Sequence, residues 1–292
     1  MSKREQGSGE LLTSALAALG NEPSSARLDA ELLLAHALNK PRTRLIAWPE
    51  DPVSAEQAAR YRALIARRAD GEPVAYLTGR REFWSLSLEV TADTMIPRPE
   101  TEHLVEVALA MLPDGEPLAV ADLGTGSGAV AAAIASERPH CHVTATDTCP
   151  RALAVAAGNL ARLGLDNVTL RQGNWCEALG EQRYAVIVSN PPYVASGDQH
   201  LCRGDVRFEP RLALSAGEDG LDAIRAITES AIPHLSPGAS LLLEHGHDQG
   251  AAVQALFHQH DYHGIHGFKD LAGIDRVVGG KWATFRSGNL GT

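Results

Sequence analysis

The sequence predicts an α/β protein in which a small all-α domain precedes a larger domain built on a parallel β-sheet. Two observations support this prediction. Residues 1–70 contain segments of helical periodicity only, and after residue 100 short apolar runs alternate with helical segments. Strands that alternate with helices pair in parallel through right-handed crossovers. A chain of 292 residues is also long enough for one large and one small domain.

The N-terminal domain is predicted as three helices, because apolar residues recur there at three- and four-residue spacing. These helices cover residues 11–19, 26–38 and 55–69, and Ser54 is placed to cap the third. The segment 83–90 (FWSLSLEV) then looks like a strand in a hairpin or linker. We therefore divide the chain into a helical domain (1–79), a β-hairpin linker (80–96) and an α/β domain (97–292).

The α/β domain is predicted to begin with a helix at 102–112 and an apolar strand at 118–123. Further apolar runs predict strands at 142–147, 168–171, 185–189 and 240–244. Helical periodicity predicts helices at 129–136, 151–163, 221–235 and 249–260. Two last strands are expected to close the sheet around Gly279 and Gly280.

Charge is unevenly distributed along the chain, whose net charge at pH 7 is −10. Residues 1–80 carry a net charge of +1, so residues 81–292 carry −11. Proteins that grip a phosphate backbone usually present a basic face. The acidic α/β domain therefore argues against stable nucleic-acid binding.

Cysteine spacing and hydropathy indicate the environment of the protein. The four cysteines are widely spaced and form no C-x-x-C pair, so the sequence predicts neither a zinc site nor a disulfide framework. No signal-peptide pattern follows the N-terminus, and no apolar run approaches the roughly 18 residues that a membrane span needs. We therefore expect a cytoplasmic protein that binds no metal and no membrane, and we expect a monomer.

A glycine-rich loop, DLGTGSG at 122–128, follows the first predicted strand of the α/β domain. Doubly wound sheets bind ligands beyond such strand ends. Glycine lets the backbone turn tightly and lets a ligand lie directly against it. Asp147 ends the next strand, where it is placed to accept hydrogen bonds from ribose hydroxyls. The pattern predicts a site for a cofactor that contains a nucleoside.

Two cofactors fit this loop, a dinucleotide and S-adenosylmethionine. The dinucleotide fingerprint is G-x-G-x-x-G, whereas the third glycine here falls one residue early. Asp122 would repel a pyrophosphate but would suit the methionine ammonium group. The loop therefore favours S-adenosylmethionine, while a dinucleotide or a glycine turn without a ligand stays open.

A second motif, Asn190-Pro191-Pro192-Tyr193, follows an apolar strand and is therefore expected at the same sheet edge as the glycine loop. An amide nitrogen is a poor nucleophile because its lone pair is delocalised. The Asn190 side-chain oxygen and the Pro191 carbonyl can each accept one N–H and so turn the lone pair toward a methyl donor. Proline presets this geometry, and Tyr193 can stack on a flat substrate group. The motif indicates N-methylation, with Asn190, Pro191 and Tyr193 as catalytic residues; a Pro-Pro turn that ends a strand is the alternative.

Taken with the stretch 96–102 (IPRPETE), these motifs resemble the release factor glutamine methyltransferases, the PrmC/HemK family. Adenine-specific DNA methyltransferases share N-P-P-Y, whereas IPRPETE is much more specific. The resemblance covers about residues 11–282, with Ala185 as a departure, because members often carry aspartate there. Further matching stretches are PVAYLTG (73–79), EPRLAL (209–214), GEDGL (217–221), DLAG (270–273) and DRVV (275–278).

The resemblance implies a Rossmann-like, seven-stranded class I methyltransferase domain, preceded by a small all-α substrate-recognition domain and a β-hairpin linker. It also implies methyl transfer from S-adenosyl-L-methionine to the side-chain amide nitrogen (N5) of the glutamine in the Gly-Gly-Gln motif of class I peptide chain release factors. These factors would be the protein partners. The glutamine would be held by Asn190, Pro191, Pro192 and Tyr193. The cofactor would be held by Gly124, Thr125, Gly126, Ser127, Gly128, Asp147, Trp175 and Asn190.

Other interpretations remain open at this point. The same catalytic motifs would serve a glutamine in a large-subunit ribosomal protein. Adenine-N6 methylation of DNA or RNA would need base flipping and a grip on phosphates. A protein that binds the cofactor without turnover is a third alternative. On pattern alone, Trp175 suits a core position as well as a place over adenine. The late histidines share no helix face, so we expect them on the solvated surface (His245, His247, His258, His260, His263 and His266).

Overall fold

The structure, a computed structural model, describes residues 6–20 and 23–282. The chain forms two compact units. The first extends to Arg80 and also includes Arg203–Phe208, and the second contains Arg81–Cys202 and the chain from Glu209 onward. The segment 203–208 thus belongs to the first unit, although the sequence-based division places it inside the α/β domain.

The first unit is mainly helical. Strands β1 (Gln6–Gly7) and β2 (Pro52–Val53) pair antiparallel. The Ser54 hydroxyl accepts a hydrogen bond from the Gln57 amide, and the Gln57 side chain accepts one from the Ser54 amide, so the third predicted helix begins with a capping box. The helices are α1 (Ser8–Leu19), α2 (Pro23–Leu38), α3 (Arg42–Ala47), α4 (Ala55–Ala69) and α5 (Val74–Thr78).

The core of the first unit comes from the apolar faces of α1, α2 and α4. Tyr61 of α4 is buried, and its hydroxyl donates to the Ala30 carbonyl of α2 at 3.2 Å. Arg68, near the end of α4, pairs with both Asp29 and Asp205 at 2.7 Å. The Asp205 contact attaches the distant segment 203–208 to this unit.

A short hairpin follows, with strands β3 (Arg80–Phe83) and β4 (Leu86–Glu89). Trp84 and Ser85 between them have φ of 53° and 57°, as a two-residue hairpin turn with right-handed strand twist requires. The continuous strand suggested by 83–90 is therefore interrupted by a turn. Phe83 and Leu88 are buried in the core of the second unit.

The second unit is built on a sheet with the strand order β10-β11-β9-β8-β5-β6-β7, seven strands in the part of the chain that the structure describes. Strands β5 to β9 run parallel to one another, β11 pairs antiparallel with β9, and β10 pairs antiparallel with β11, so β11 runs opposite to the other six strands. The predicted α/β architecture is thus confirmed. The elements are α6 (Glu102–Ala110), β5 (Ala119–Leu123), α7 (Ala129–Glu137), β6 (His142–Asp147), α8 (Pro150–Leu163), β7 (Val168–Gln172), β8 (Tyr184–Ser189), α9 (Asp222–Ser230), β9 (Leu235–Glu244), α10 (Gly250–Gln259), β10 (His263–Lys269) and β11 (Asp275–Lys281).

Strand β5 lies at the point where the strand order reverses, because it pairs in parallel with β6 on one side and β8 on the other. Open α/β sheets bind ligands in the crevice at such a point, outside the carboxyl ends of the strands. The glycine loop after β5 and the residues after β8 therefore meet at one edge of the sheet.

Two predicted boundaries in the second unit differ from the structure by five residues. The helix predicted at 221–235 ends at Ser230, because Pro233 cannot continue a helix, and a short 3₁₀ turn covers Ile232–His234. Strand β9 begins at Leu235 instead of residue 240, with irregular pairing to β8 before Ser240. No helix within 6–20 or 23–282 is long and apolar enough to cross a membrane.

Candidate active site

A cavity of about 700 Å³ opens at the carboxyl ends of the central strands of the second unit. This volume lies within the range of small-molecule and cofactor sites. Its walls come from residues 92–101, the glycine loop, and residues 147–152, 173–175, 190–192 and 210–223. The two motifs that indicate chemistry therefore border one cavity.

The glycine loop is held in left-handed conformations, with φ of 73° at Gly124, 57° at Gly126 and 83° at Gly128. A Cβ at Gly124 would lie 3.1 Å from the Trp175 ring, and one at Gly128 would lie 3.2 Å from Cβ of Ala156. A Cβ at Gly126 would meet no atom within 4 Å. The outer two glycines are thus favoured by tight packing as well as by φ, whereas the middle one faces open space.

Asp122 ties the loop to the following helix. Its Oδ2 accepts hydrogen bonds from the Thr125 hydroxyl at 2.6 Å and from the Ala131 amide at 3.2 Å. Burial raises the pKa of Asp122 to about 6, although both hydrogen bonds lower it. The carboxyl borders the cavity, so a second role beside an ammonium group stays a prediction.

Asp147 ends β6 and lines the cavity. Its Oδ2 accepts a hydrogen bond from the Gly126 amide at 2.9 Å, and its Oδ1 accepts one from the Cys149 amide at 2.8 Å. These bonds fix the carboxylate against the glycine loop. A carboxylate oxygen can accept more than one hydrogen bond, so both oxygens retain capacity for ribose hydroxyls.

Trp175 is half-buried, and a role beside adenine stays a prediction. Its ring packs against the buried cluster beneath the sheet and also lines the cavity beside Gly124. Its backbone has a φ of 45°, and its carbonyl accepts a hydrogen bond from the Thr146 hydroxyl at 3.2 Å.

Asn190 lies just beyond β8, with its side-chain amide anchored at one end. Its Nδ2 donates to Oγ1 of Thr101 at 2.9 Å. Oδ1 accepts no hydrogen bond from any residue that the structure describes, and Asn190 lines the cavity together with Pro192. Pro191 is buried, and neither Pro191 nor Tyr193 is among the residues that line the cavity, so their contacts with a substrate amide stay predictions.

Tyr193 is held by its hydroxyl and by its carbonyl. The hydroxyl donates to Oε1 of Glu244 at 3.1 Å, and the carbonyl accepts from Nε2 of Gln249 at 3.0 Å. Burial, and then the nearby Glu244 charge, raise the pKa of Tyr193 above its ordinary value. A Cβ at Gly220, whose φ is 77°, would lie 2.3 Å from the Tyr193 carbonyl oxygen. Only glycine therefore lets the stretch GEDGL approach this residue.

Glu209 was not singled out by the sequence, although it opens the matching stretch EPRLAL. It is buried and accepts a hydrogen bond from the Ile96 amide at 3.0 Å. It also forms an ion pair with the Arg98 guanidinium. These contacts fix the course of IPRPETE along the cavity wall. Thr101 lies in the stretch whose resemblance implies a place beside the active site, but no role was assigned to it from sequence. Glu244 was not singled out, and its only sequence signal is its position at the end of an apolar strand.

The late histidines are exposed or half-buried except for His245, which was expected on the surface but is buried at the end of β9. Its Nδ1 lies 2.7 Å from the Gly246 carbonyl oxygen, and burial lowers its pKa. Within the described residues, no three His, Cys, Asp or Glu side chains form a group that could hold a metal ion.

Family comparisons agree with this architecture. Residues 10–79 match the PrmC N-terminal domain, and residues 102–204 match the methyltransferase small domain. A crystal structure of a methyltransferase from Pyrococcus furiosus is similar with a TM-score of 0.53 and 20% identity, over 75% of this chain and 98% of that one, which shows the fold alone. The fold and the site define a class I methyltransferase.

Two curated relatives identify the family. The chain is 53% identical over 259 residues to the release factor glutamine methyltransferase of Pseudomonas aeruginosa, across 89% of this chain and 94% of that protein. It is 47% identical over 258 residues to that of Escherichia coli K12, across 88% and 93%. The chain belongs to the release factor glutamine methyltransferase family, as the sequence motifs predict.

Proposed function

We propose that the protein transfers the methyl group of S-adenosyl-L-methionine to the side-chain amide nitrogen of the glutamine in the Gly-Gly-Gln motif of class I release factors. The names of its relatives support release factors as the substrate class. The main observation in support of this reaction is the orientation of the Asn190 side-chain amide, whose Nδ2 donates a hydrogen bond to Thr101. Its oxygen is therefore the end available to a substrate.

The residues around the cavity fit the cofactor. The open space at Gly126 lets a ligand lie against the loop backbone, and Asp147 presents a fixed carboxylate for ribose hydroxyls. Trp175 offers a ring face for adenine, and Asp122 offers negative charge for the ammonium group. When bound, S-adenosyl-L-methionine supplies a methyl group on a positively charged sulfur. The same assignment includes Gly124, Thr125, Ser127, Gly128 and Asn190 in the cofactor site.

The catalytic role of the motif is orientation of the substrate amide. Oδ1 of Asn190 and the carbonyl of Pro191 each accept one N–H, which turns the nitrogen lone pair out of conjugation and toward the methyl donor. Both acceptors also stabilise the positive charge that develops on nitrogen. Pro192 lines the cavity together with Asn190, and Tyr193 is held by its hydrogen bond to Glu244.

Proton removal needs no dedicated base in this account. A nitrogen-methylated amide cation is a strong acid, so it loses a proton to water once the methyl group has been transferred. The acceptors that orient the amide before transfer also hold this proton until it leaves.

The first unit is proposed to recognise the protein substrate, since the cavity lies wholly in the second unit and leaves the helical unit without a catalytic role. The second part of the chain, residues 81–292, carries a net charge of −11. A protein substrate with a basic surface would be attracted to it electrostatically.

The experiment that tests this proposal is transfer of labelled methyl to a purified release factor. The matched control is the same factor with the glutamine of Gly-Gly-Gln changed to alanine. Label on the first and none on the second is the expected result. Label on neither would contradict the proposal, and the same assay with large-subunit ribosomal proteins and with DNA would then identify the substrate.

A further inference from the structure

Leu212 is an exposed apolar residue in the wall of the active-site cavity. It is 73% exposed, although burial of a leucine side chain is favourable. Pro210, Ala213 and Ala216 line the cavity with it and are also apolar. None of these residues is assigned to the cofactor or to the substrate amide. An apolar surface that is left uncovered in a concave site indicates a ligand group that covers it.

The turn that carries Leu212 is held by hydrogen bonds within it and by the residue before it. Leu212 is the middle residue of the 3₁₀ turn Arg211–Ala213, in which the Ser215 amide donates to the Arg211 carbonyl at 2.9 Å. Glu209, just before the turn, is buried and fixed by its hydrogen bond and ion pair with IPRPETE. Because the turn is already ordered, a contact between Leu212 and a ligand costs little conformational entropy.

The same turn is joined to the chain that continues from Asn190. The Val194 amide donates to the Leu214 carbonyl at 2.9 Å, and the Val194 carbonyl accepts from the Ala216 amide at 3.0 Å. Val194 follows Asn190 closely in the chain, and Leu214 follows Leu212 closely. These hydrogen bonds therefore hold Leu212 and Asn190 in one connected part of the cavity wall.

The sheet topology separates this part of the wall from the residues proposed to bind the cofactor. The glycine loop follows β5, Asp147 ends β6, and Trp175 follows β7. Leu212 is joined to the chain after β8, which lies on the opposite side of β5 from β6 and β7. Leu212 therefore borders the side of the cavity where Asn190 would hold the substrate amide.

We propose that Leu212 is a substrate-binding residue that packs against the apolar part of the protein substrate next to the methylated amide. The methylene carbons of the glutamine and the backbone of the adjacent glycines have the matching chemistry. Their contact with Leu212 buries apolar surface on both sides and removes water from around the amide. The inference rests on the proposed function, because it takes the Gly-Gly-Gln segment as the occupant of this side of the cavity.

The test compares two changes at Leu212 with a matched control. Leu212→Ala removes most of the side chain, whereas Leu212→Met keeps its volume and its apolar character. Leu271→Ala is the control, because Leu271 is fully exposed in the same unit and does not line the cavity. Since both leucines are exposed, neither alanine change should shift the midpoint of chemical denaturation.

The first readout is the affinity for a purified release factor, measured by calorimetry in the presence of S-adenosylhomocysteine. We expect Leu212→Ala to raise Kd roughly 5–20-fold, which corresponds to about 1–2 kcal/mol, as for one or two methylene groups left unburied. Leu212→Met and Leu271→Ala should stay within about twofold of wild type. Equal affinities of Leu212→Ala and the Leu271→Ala control would overturn the proposal, as would an equal loss in Leu212→Met.

The second readout separates the substrate from the cofactor. Leu212→Ala should raise KM for the release factor with little change in kcat, because a contact made equally in the ground state and the transition state affects binding alone. Its affinity for S-adenosyl-L-methionine should equal that of wild type. A comparable loss of cofactor affinity would assign Leu212 to the cofactor and overturn the proposal. A wild-type enzyme that neither binds nor methylates a release factor would instead refute the proposed function.

Discussion

The side-chain amide of Asn190 donates a hydrogen bond to the hydroxyl of Thr101 at 2.9 Å, across 89 positions of sequence. This bond joins the motif after β8 to the stretch IPRPETE before α6. Those two stretches carry most of the family resemblance, and the hydrogen bond places them in contact with each other. In the proposed mechanism, the first supplies the acceptor for the substrate amide, and the second holds that acceptor in place.

Removal of the Thr101 hydroxyl is expected to impair turnover. Thr101→Val leaves Nδ2 of Asn190 without its partner and lets the amide rotate. We expect kcat to fall roughly 10-fold, as for loss of about 1 kcal/mol or slightly more of orienting interaction. Binding of S-adenosyl-L-methionine, measured by calorimetry, should stay unchanged. Thr144→Val serves as the control and should keep wild-type turnover, because Thr144 is buried outside the cavity and its hydroxyl has no hydrogen-bond partner within the described residues. A Thr101→Val enzyme as active as this control would show that the bond between Asn190 and Thr101 does not contribute to turnover.

Gly220 is expected to tolerate no side chain. Gly220→Ala would place Cβ 2.3 Å from the Tyr193 carbonyl oxygen at a φ of 77°. Gly238→Ala is the matched control, because its φ is 80° but its Cβ would meet no atom within 4 Å. The control should lose about 1–2 kcal/mol of unfolding free energy from backbone strain alone. Gly220→Ala should lose about 1–3 kcal/mol more because of the clash.

Chemical denaturation of both glycine variants measures this difference. Equal losses of unfolding free energy at the two positions would mean that backbone strain accounts for the whole loss in Gly220→Ala. The close approach to Tyr193 would then contribute nothing to it. A larger loss at Gly220 should be accompanied by reduced turnover, since Tyr193 would be displaced.

Stability should depend on pH through Glu244. Its pKa is raised from 4.5 to about 7 in the folded protein, so the folded state binds this proton more tightly than the unfolded state. The resulting stabilisation is fully present below pH 4.5 and is lost as the pH rises through about 7. Glu244→Gln lacks this titration. Its stability relative to wild type should therefore increase from pH 5 to pH 8, by on the order of 2 kcal/mol.

Thermal and chemical unfolding of the two proteins at several pH values check this expectation. The comparison between variant and wild type cancels the contribution of Asp122, whose pKa is also raised by burial and which is present in both. A stability difference that stays constant from pH 5 to pH 8 would mean that Glu244 titrates as an ordinary carboxyl.

The elements that border the active site were predictable from sequence because their signals are local. The glycine loop, the strand before Asn190 and Asp147 at a strand end are each defined within a few residues. The predicted end of one helix was wrong because two sequence signals conflicted. Helical periodicity continues through 221–235, whereas Pro233 ends the helix. Short helices such as α3 and α5 gave too few turns for periodicity to show.

The supporting residues were not predictable in the same way. Thr101, Glu209 and Glu244 act through contacts with residues 51 to 113 positions away. Glu244 in particular reads in sequence as the polar end of a strand, and only its burial shows that it lies in the interior. His245 beside it was misjudged for the same reason. The burial of these two residues depends on distant parts of the chain that pack against the edge of the sheet, and a local sequence pattern gives no information about them.

Asn190 is proposed to orient the substrate amide. The most direct measurement is the turnover of Asn190→Ala with a purified release factor, together with its affinity for S-adenosyl-L-methionine. We expect kcat to fall roughly 10²–10³-fold, as for loss of one preorganised hydrogen-bond partner, and cofactor affinity to fall far less, because Asn190 is only one of the residues assigned to the cofactor. Near-normal turnover in this variant would contradict the two-acceptor mechanism.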